Sequence, residues 1–349
     1  MAKALVLLSG GLDSMLSARV LMEQGVKVTG LTFTSHFFGA AKARKAAEQL
    51  GIELKEVDFK KEHLQMVKNP KYGYGKNMNP CIDCHSLMLR YAKKYLAQPS
   101  PCQGEEKVYD LIATGEILDQ RPMSQNKEAL KTVADYSGIG DRVVRPLSAK
   151  LLEETAPEKE GLLIRGKLLG ISGRNRKKQI ELVKKFKIKE YASPGGGCLL
   201  TDPAFSERLI NLFDYWPDCA GNDVELLKYG RVIWLKLKKS RDNVKVLVVI
   251  GRNKEDNEML EKLARKGDVL IELKNEMGPT TLVRMLNNKS RIENDILEID
   301  IPKELKKSEM KLGDEKSFKE IINVLALLTG YYATKARGKK VNVQLEIKN

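Results

Sequence analysis

Residues 4–14 read Ala-Leu-Val-Leu-Leu-Ser-Gly-Gly-Leu-Asp-Ser. Five apolar residues in a row, without alternation, predict a strand buried on both faces, as in a parallel sheet. Ser9-Gly10-Gly11 makes a turn. From Asp13 to Gln24 the apolar positions Leu16, Val20 and Leu21 recur at helical spacing until Gly25 stops them. A strand that hands two glycines to a helix N-terminus gathers backbone N–H groups and the positive end of a helix dipole at one point. The hydroxyls of Ser9 and Ser14 stand beside them, and the whole is suited to a phosphate. The Walker pattern G-x-x-x-x-G-K-[ST] does not occur in this chain.

Outward from this stretch the alternation continues. Strands are predicted at 26–34, 52–58 and 108–114, and helices at 40–50, 86–96 and 126–136. This is the pattern of an α/β doubly wound parallel sheet. Residues 59–80 are polar and marked by Asn, Pro, Gly and Tyr, and read as a mobile loop over the strand ends. Residues 97–107 read as an exposed insertion. The run ASPGGGCLLTDP at 192–203 separates two regimes. Beyond it, strands at 231–237 and 244–250 lie close together, and helices at 255–265 and 315–334 follow. The expected division is a nucleotide domain at 1–190, a Gly-rich linker carrying a cysteine at 191–220, and an α+β domain at 221–349.

Composition narrows the class. The 349 residues carry 61 Lys plus Arg against 46 Asp plus Glu, a net charge of +15. Such a balance calls for a polyanionic partner, of which nucleic acid is the usual one. No apolar run approaches the roughly 20 residues of a membrane span. The N-terminal stretch lacks the features of a signal peptide, so a cytoplasmic location is expected. Five sparse cysteines exclude a secreted disulfide scaffold.

Three of the cysteines stand out. Cys81 and Cys84 form a C-x-x-C in Asn-Pro-Cys-Ile-Asp-Cys-His (79–85), and Cys198 closes the triple glycine 195–197. A C-x-x-C suits zinc, a redox pair or an iron–sulfur cluster. A four-ligand zinc site would draw on His85. Cys102 and Cys219 read as incidental residues in polar surroundings. His36 follows the second strand near the expected nucleotide, and His63 reads as an ordinary loop residue. Arg174 opens a helix, either toward phosphate or as a plain charge.

Ser9–Ser14 resembles the SGGxDS loop of the adenine nucleotide α-hydrolase-like (PP-loop) family. That resemblance implies ATP cleavage between the α and β phosphates, with AMP transferred to a carbonyl oxygen. It places ATP on Ser9, Gly10, Gly11, Asp13 and Ser14, Mg²⁺ near Asp13, and Thr32 and Phe33 near the adenine. Residues 79–92 are similar to two groups of tRNA thiolation enzymes. The 2-thiouridylases carry N-P-D-x-x-C, so Cys81 stands in place of their Asp and Cys84 matches their cysteine. Some 4-thiouridine synthetases carry C-x-x-C before a helix with Met and Arg. Residues 112–147 resemble the latter group in Thr114-Gly115-Glu116, Gln120, Ser124-Gln125 and Arg145-Pro146-Leu147. This resemblance, which covers about residues 1–200, puts Gly115 and Glu116 at the nucleotide. It makes Asp13, Cys84 and Cys198 catalytic.

Three thiolates can hold three irons of a [4Fe–4S] cube and leave the fourth open, so Cys81, Cys84 and Cys198 are candidate cluster ligands. The alternative is a persulfide on one cysteine that another resolves. The sulfur donor is then free sulfide or a cysteine desulfurase. The motif at 79 leans toward C2 of uracil and the motif at 112–147 toward C4.

Residues 229–345 resemble the RNA-binding domain of NFACT ribosome-quality-control proteins. The likeness rests on Gly251-Arg252-Asn253, Asn257, Leu260, Asp268, Gly278-Pro279 and the paired tyrosines of 326–343. It departs at Glu272-Leu273-Lys274, where those domains often carry a His after an aromatic residue. The likeness implies phosphate contacts from Arg252, Lys335, Arg337, Lys339 and Lys340. Tyr331 and Tyr332 then either stack on bases or belong to the core. The combined expectation is an ATP-dependent sulfurtransferase acting on tRNA uridine. The rivals are a PP-loop enzyme that activates a small molecule, and an RNA-binding adaptor with a decayed site.

Overall fold

A computed structural model describes residues 1–96, 109–192, 197–239, 242–285, 295–300 and 318–348. The chain divides into two compact units, Met1–Ser206 and Glu207–Asn349.

The first unit is built on five parallel strands: β1 (Lys3–Leu7), β2 (Lys27–Thr34), β3 (Leu54–Asp58), β4 (Leu111–Ala113) and β5 (Val143–Val144). Their order is β3-β2-β1-β4-β5, with the first strand in the centre. β1 shows why this sequence makes a central strand. Ala4 and Val6 pack into one core and Leu5 into the other, so both faces are apolar. The first face is covered by α1 (Leu12–Met22), which presents Met15, Leu16 and Val20, by α2 (Ala41–Leu50), and by the later helix Lys177–Phe186. The second face takes α3 (Lys60–Lys68), α4 (Cys81–Lys93) and α5 (Lys127–Ser137). The one-turn α6 (Ala156–Lys159) and then α7 (Lys177–Phe186) complete the unit. In an open parallel sheet the crevice beyond the strand C-termini is where ligands bind, and reversal of strand order beside β1 opens it there.

Two expectations are corrected. Residues 59–80 are not all loop, because α3 occupies Lys60–Lys68 and buries His63, Leu64 and Val67. The third helix begins at Cys81 rather than 86, so Cys81 and Cys84 lie in the first turn of α4 rather than in a loop. Cys102 and the whole insertion at 97–107 lie outside the described residues, as do Gly195 and Gly196.

The boundary between the units falls within α8 (Pro203–Tyr215). The second unit continues through α9 (Gly221–Leu226) into an antiparallel sheet of β6 (Arg231–Lys239), β7 (Asp242–Ile250), β8 (Val269–Leu273), β9 (Thr281–Met285), β10 (Asp295–Asp300) and β11 (Lys340–Ile347). The strand order is β10-β11-β8-β9-β7-β6. α10 (Lys254–Leu263) is capped by Asn253, whose side chain accepts from the Asp256 N–H at 2.8 Å. α11 (Phe318–Tyr332) lays Ile321, Ile322, Leu325 and Ala326 on the apolar sheet face made by Val248, Ile271, Val283 and Val343. Cys219 is buried here, not in the polar surroundings expected of it.

Candidate active site

The turn after β1 is a loop pressed from two sides. Gly10 holds φ +77°, and a Cβ there would come within 2.4 Å of the Lys42 carbonyl at the start of α2. Gly115, after β4, is as tight, since a Cβ would lie 2.5 Å from the Ser14 amide nitrogen. Gly11, at the N-cap of α1, has no side chain to cap the helix, so the first-turn N–H groups depend on another partner. The Ser14 hydroxyl donates to the Gly11 carbonyl at 2.8 Å, and Ser9 accepts from the Gly11 N–H at 3.3 Å.

Asp13 points into this crevice. Its Oδ2 accepts from Gln120 Nε2 at 3.1 Å, while Oδ1 is buried without a hydrogen-bond partner. Burial lifts the carboxyl above the ordinary carboxylate range, against the opposing pull of Gln120, Arg176 and Arg121. An unclaimed buried carboxylate oxygen among cations fits a hard cation that travels with phosphates. Gln179, on α7, faces the same carboxylate and is fully buried with neither amide atom hydrogen-bonded. Nothing in the sequence singled out Gln179, Arg176 or Arg121: the first two reach Asp13 through the return of the chain after β5, and Arg121 through the segment between β4 and α5.

The three cysteines converge. Ala192 donates its N–H to the Gly10 carbonyl at 3.2 Å, and Leu199 donates to the Phe37 carbonyl at 3.0 Å. These two bonds carry the intervening Cys198 from the glycine loop to the end of β2. Asn77 extends the lacing by donating to the Thr201 carbonyl at 2.8 Å. The Cys84 thiol is pushed well above its usual value by burial first, then by Cys198, Cys81 and Asp83. Cys198 is raised to about 11, again mostly by burial, with Cys81 adding to the shift and Arg121 opposing it. Each sulfur therefore lies within electrostatic reach of the others, and no disulfide joins them. Asn79 Nδ2 donates to Cys81 Sγ at 3.4 Å, and His63 Nε2 lies 3.2 Å from Cys84 Sγ.

Among the described residues, no three His, Cys, Asp or Glu side chains close on one point as ligands of a single metal ion. The thiolates of a cubane each bind a different iron and so stand further apart. A set of three thiols outside any disulfide, with a side-chain N–H donor on one and an imidazole nitrogen beside another, fits such a group.

The other predicted site residues are placed as follows. Glu116 is buried with both oxygens engaged: Oε1 lies 2.7 Å from His85 Nδ1, and Oε2 accepts from Arg145 Nε at 2.9 Å and Thr114 Oγ1 at 3.0 Å. Burial favours its neutral form, but Arg145 and His85 outweigh that and hold its pKa at about 2. His85 thus faces Glu116 from the same helix turn as Cys84. Thr32 is buried in β2, and Phe33 packs in the core against Phe59 with ring centres 4.9 Å apart. His36 follows β2 with its ring edge-on to Phe37. His63, read from sequence as an ordinary loop residue, is fully buried against Cys84.

Comparison with known proteins agrees with this architecture. Residues 2–138 match the family described as tRNA methyl transferase HUP domain. This part of the chain is similar to that family's HUP domain. The central β1, the glycine loop after it and the C-x-x-C helix all fall inside the matched residues. The tRNA-specific 2-thiouridylase MnmA of Sulfurimonas denitrificans is 36% identical over 130 residues, 33% of this chain and 35% of the relative. That of Helicobacter acinonychis is 39% identical over 167 residues, 43% of this chain and 45% of the relative. The chain thus spans less than half the length of these relatives. A 4-thiouridine synthetase solved with RNA and bound ATP aligns over 64% of this chain and 52% of its own, at 22% identity and a TM-score of 0.36. No helix among the described residues is long and apolar enough to cross a membrane.

Proposed function

We propose that this protein is an ATP-dependent sulfurtransferase that converts a uridine of tRNA to 2-thiouridine. The observation that carries the reading is the convergence of phosphate loop and thiols. The segment that hydrogen-bonds Gly10 delivers Cys198 to Cys81 and Cys84, and one guanidinium, Arg121, acts on both Asp13 and Cys198. A HUP-domain enzyme that only adenylated a small molecule would have no use for three thiols beside its phosphate loop. C2 is favoured over C4 because the matched relatives are named 2-thiouridylases.

ATP lies with its phosphates on the N–H groups of Gly10, Gly11 and the start of α1, and Asp13 Oδ1 is the oxygen that would hold Mg²⁺. The uracil carbonyl oxygen attacks the α phosphorus, and pyrophosphate leaves. Arg121 and Arg176 face the charge that develops there. The base now carries AMP on that oxygen, a far better leaving group than oxide. A sulfur nucleophile held at the three cysteines adds to the carbon, and AMP departs with the C–O bond. Cys81, Cys84 and Cys198 would hold a [4Fe–4S] cluster, which when bound supplies an iron free to take up sulfide. The second unit would hold the tRNA body, in keeping with the +15 charge.

The test uses the full chain, anaerobically, with iron and sulfide restored. Expected are AMP and pyrophosphate formed only when tRNA is present, and 2-thiouridine in the digested tRNA by mass spectrometry. AMP formation indifferent to tRNA would overturn the reading in favour of a small-molecule substrate. Retained iron that is lost in Cys81→Ser supports the cluster. An iron-free chain with a persulfide on Cys84 replaces the cluster by direct thiol chemistry.

A further inference from the structure

The loop between α3 and α4 holds its backbone still and leaves its rings out. Its middle reads Lys71-Tyr72-Gly73-Tyr74-Gly75-Lys76. Asp83, buried in the first turn of α4, accepts the Lys71 N–H on one oxygen and the Tyr72 N–H on the other, both at 3.0 Å. Burying a carboxylate is costly unless it is hydrogen-bonded, and here both oxygens serve to fix this loop. The Tyr74 hydroxyl donates to the Val67 carbonyl on α3 at 2.6 Å. Further along, the Gly75 N–H meets the Asn79 carbonyl at 3.0 Å, and the Met78 N–H donates to Ser206 Oγ at 3.3 Å.

On this frame the two tyrosines face solvent. Tyr72 is 41% exposed and Tyr74 38%, and among the described residues only Tyr191 is an aromatic residue as open. A ring left in water forfeits the gain of burial, so two rings pinned there are held ready for a flat partner. Gly73 lies between them with φ +73°, and nothing stands within 4 Å of where its Cβ would be. The surrounding charge is positive. Tyr136, on α5, meets Tyr72 edge-on at 5.4 Å and carries Lys71 Nζ 4.3 Å and Arg90 Cζ 5.3 Å from its centre. Lys71, Lys76 and Arg90 are exposed, and none forms an ion pair among the described residues.

We infer that the loop at 71–76 is a docking surface for single-stranded RNA, with Tyr72 and Tyr74 each stacking a base and Lys71, Lys76 and Arg90 meeting the phosphates. Open rings set among unpaired cations are what a single strand requires. Two residues of backbone span at most about 7 Å, which is of the order of one nucleotide step. A protein surface could also use the rings, but a chain of charge +15 favours a polyanion. The loop runs directly into the thiols, since Asn79 at its end donates to Cys81 Sγ at 3.4 Å. A uridine that presents its carbonyl to sulfur has to leave its stack, and its neighbours then lose a partner that a ring replaces. The bases on Tyr72 and Tyr74 are therefore the target's neighbours on its own strand. That last assignment rests on the function proposed above, but the binding of RNA by this loop does not.

The test uses the full chain and a short fluorescein-labelled single-stranded oligoribonucleotide, with binding followed by anisotropy across a salt series. Tyr72→Leu and Tyr74→Leu are each expected to weaken binding at least about fivefold while leaving the slope of log affinity against log salt unchanged. Lys76→Ala is expected to weaken it a few-fold and to reduce that slope by about 0.7. Tyr72→Phe, which keeps a ring, is expected to recover most of what Tyr72→Leu loses. A second measurement needs no variant. The same oligonucleotide carrying 5-iodouridine, irradiated on the unaltered protein, is expected to leave adducts on Tyr72 or Tyr74 by peptide mass spectrometry. Unchanged affinity in both leucine variants, or adducts confined to other segments, would overturn the inference and leave the rings to a protein partner. Equal losses in Tyr72→Phe and Tyr72→Leu would overturn the stacking. RNA bound at this loop by a protein that never thiolates tRNA would sustain the inference and sink the function. Thiolation with an unchanged KM for tRNA in the double variant Tyr72→Leu, Tyr74→Leu would do the reverse.

Discussion

Each unit of this protein buries an arginine, and the two are used differently. In the second unit Arg284 is completely enclosed. It bonds Asp268 through Nη2 at 2.6 Å, Asp223 and Asn222 through Nη1 at 2.9 and 2.7 Å, and the Leu263 carbonyl at 2.9 Å. Two carboxylates and a fork of donors close on each other, tying α9 and the approach to β8 onto β9. In the first unit Arg145 meets Glu116 and the Leu130 carbonyl, and Glu116 passes the contact on to His85, which is partly exposed beside Cys84. Close by, Asp13 Oδ1, Gln125 Oε1 and both amide atoms of Gln179 are buried with no partner. Buried charge that is closed holds a scaffold together. Buried polar groups left open mark where a ligand belongs.

The sharpest way to break the closed network is Arg284→Met. Removing the cation leaves Asp223 and Asp268 buried with much less compensation, and a loss of about 3–5 kcal/mol is expected in urea unfolding of the full chain. Arg265, 3.2 Å from Asp223 and half exposed, is the only nearby relief among the described residues' ion pairs. A loss below about 1 kcal/mol would mean that the network is not what holds these elements together.

The buried pair of the first unit responds to pH. Glu116 titrates at about 2 in the folded protein, against 4.5 for an ordinary Glu. A depressed carboxyl contributes stability that is complete above the unfolded value and is lost as pH falls from about 4.5 through about 2. Glu116→Gln should therefore cost on the order of 3 kcal/mol at pH 7, with the gap to the unaltered protein narrowing toward pH 2. Parallel stability curves would show that Arg145 and His85 do not hold this carboxylate.

Next in size is Gly115→Ala. The added methyl would sit 2.5 Å from the Ser14 nitrogen, so the loop after β4 and the start of α1 have to separate. MgATP affinity is expected to fall at least about tenfold, roughly 1.4 kcal/mol, with urea stability changed much less. Unaltered binding by isothermal titration would remove the phosphates from this loop.

The contrast also shows what the sequence reveals. The parallel sheet was legible because an unbroken apolar strand, a glycine turn and a periodic helix are all local signals. The convergence of Asp13 with Cys198 was legible only through resemblance. α3 was missed because its inward face is His63, Leu64 and Val67, and a histidine counts as polar until an aromatic cage surrounds it. The early start of α4 was missed because Asn79-Pro80 reads as loop, whereas proline before a helix removes only an N–H that the first turn would not have bonded. Glu116 stood out in the sequence, but its pinning did not, since Arg145 reaches it only through the fold. In the second unit β8 and β9 were passed over, being short strands whose partners are far along the chain.

The smallest expected effect concerns the exposed cations of the second unit. Tyr331 and Tyr332 are partly buried against the α11 core, and their ring faces are occupied. Arg337 lies 4.7 Å from the centre of Tyr331 and Arg231 lies 4.3 Å from that of Tyr332. Rings so covered are poor stacking platforms for bases, while the guanidiniums above them remain charged. Lys339 is paired with Glu276, and Arg252 is held by Asp256 at 2.7 Å, so neither is fully available to a phosphate. If this unit holds tRNA as proposed, the binding is carried by Arg337 and Lys335 rather than by the tyrosines. Arg337→Ala and Lys335→Ala are each expected to weaken tRNA binding a few-fold at physiological salt. Each should also reduce the slope of log affinity against log salt by about one. Tyr332→Leu, which removes the ring face but keeps apolar bulk against the α11 core, is expected to change neither. A large loss in Tyr332→Leu with an unchanged slope in Arg337→Ala would reverse the assignment and make the second unit a reader of bases.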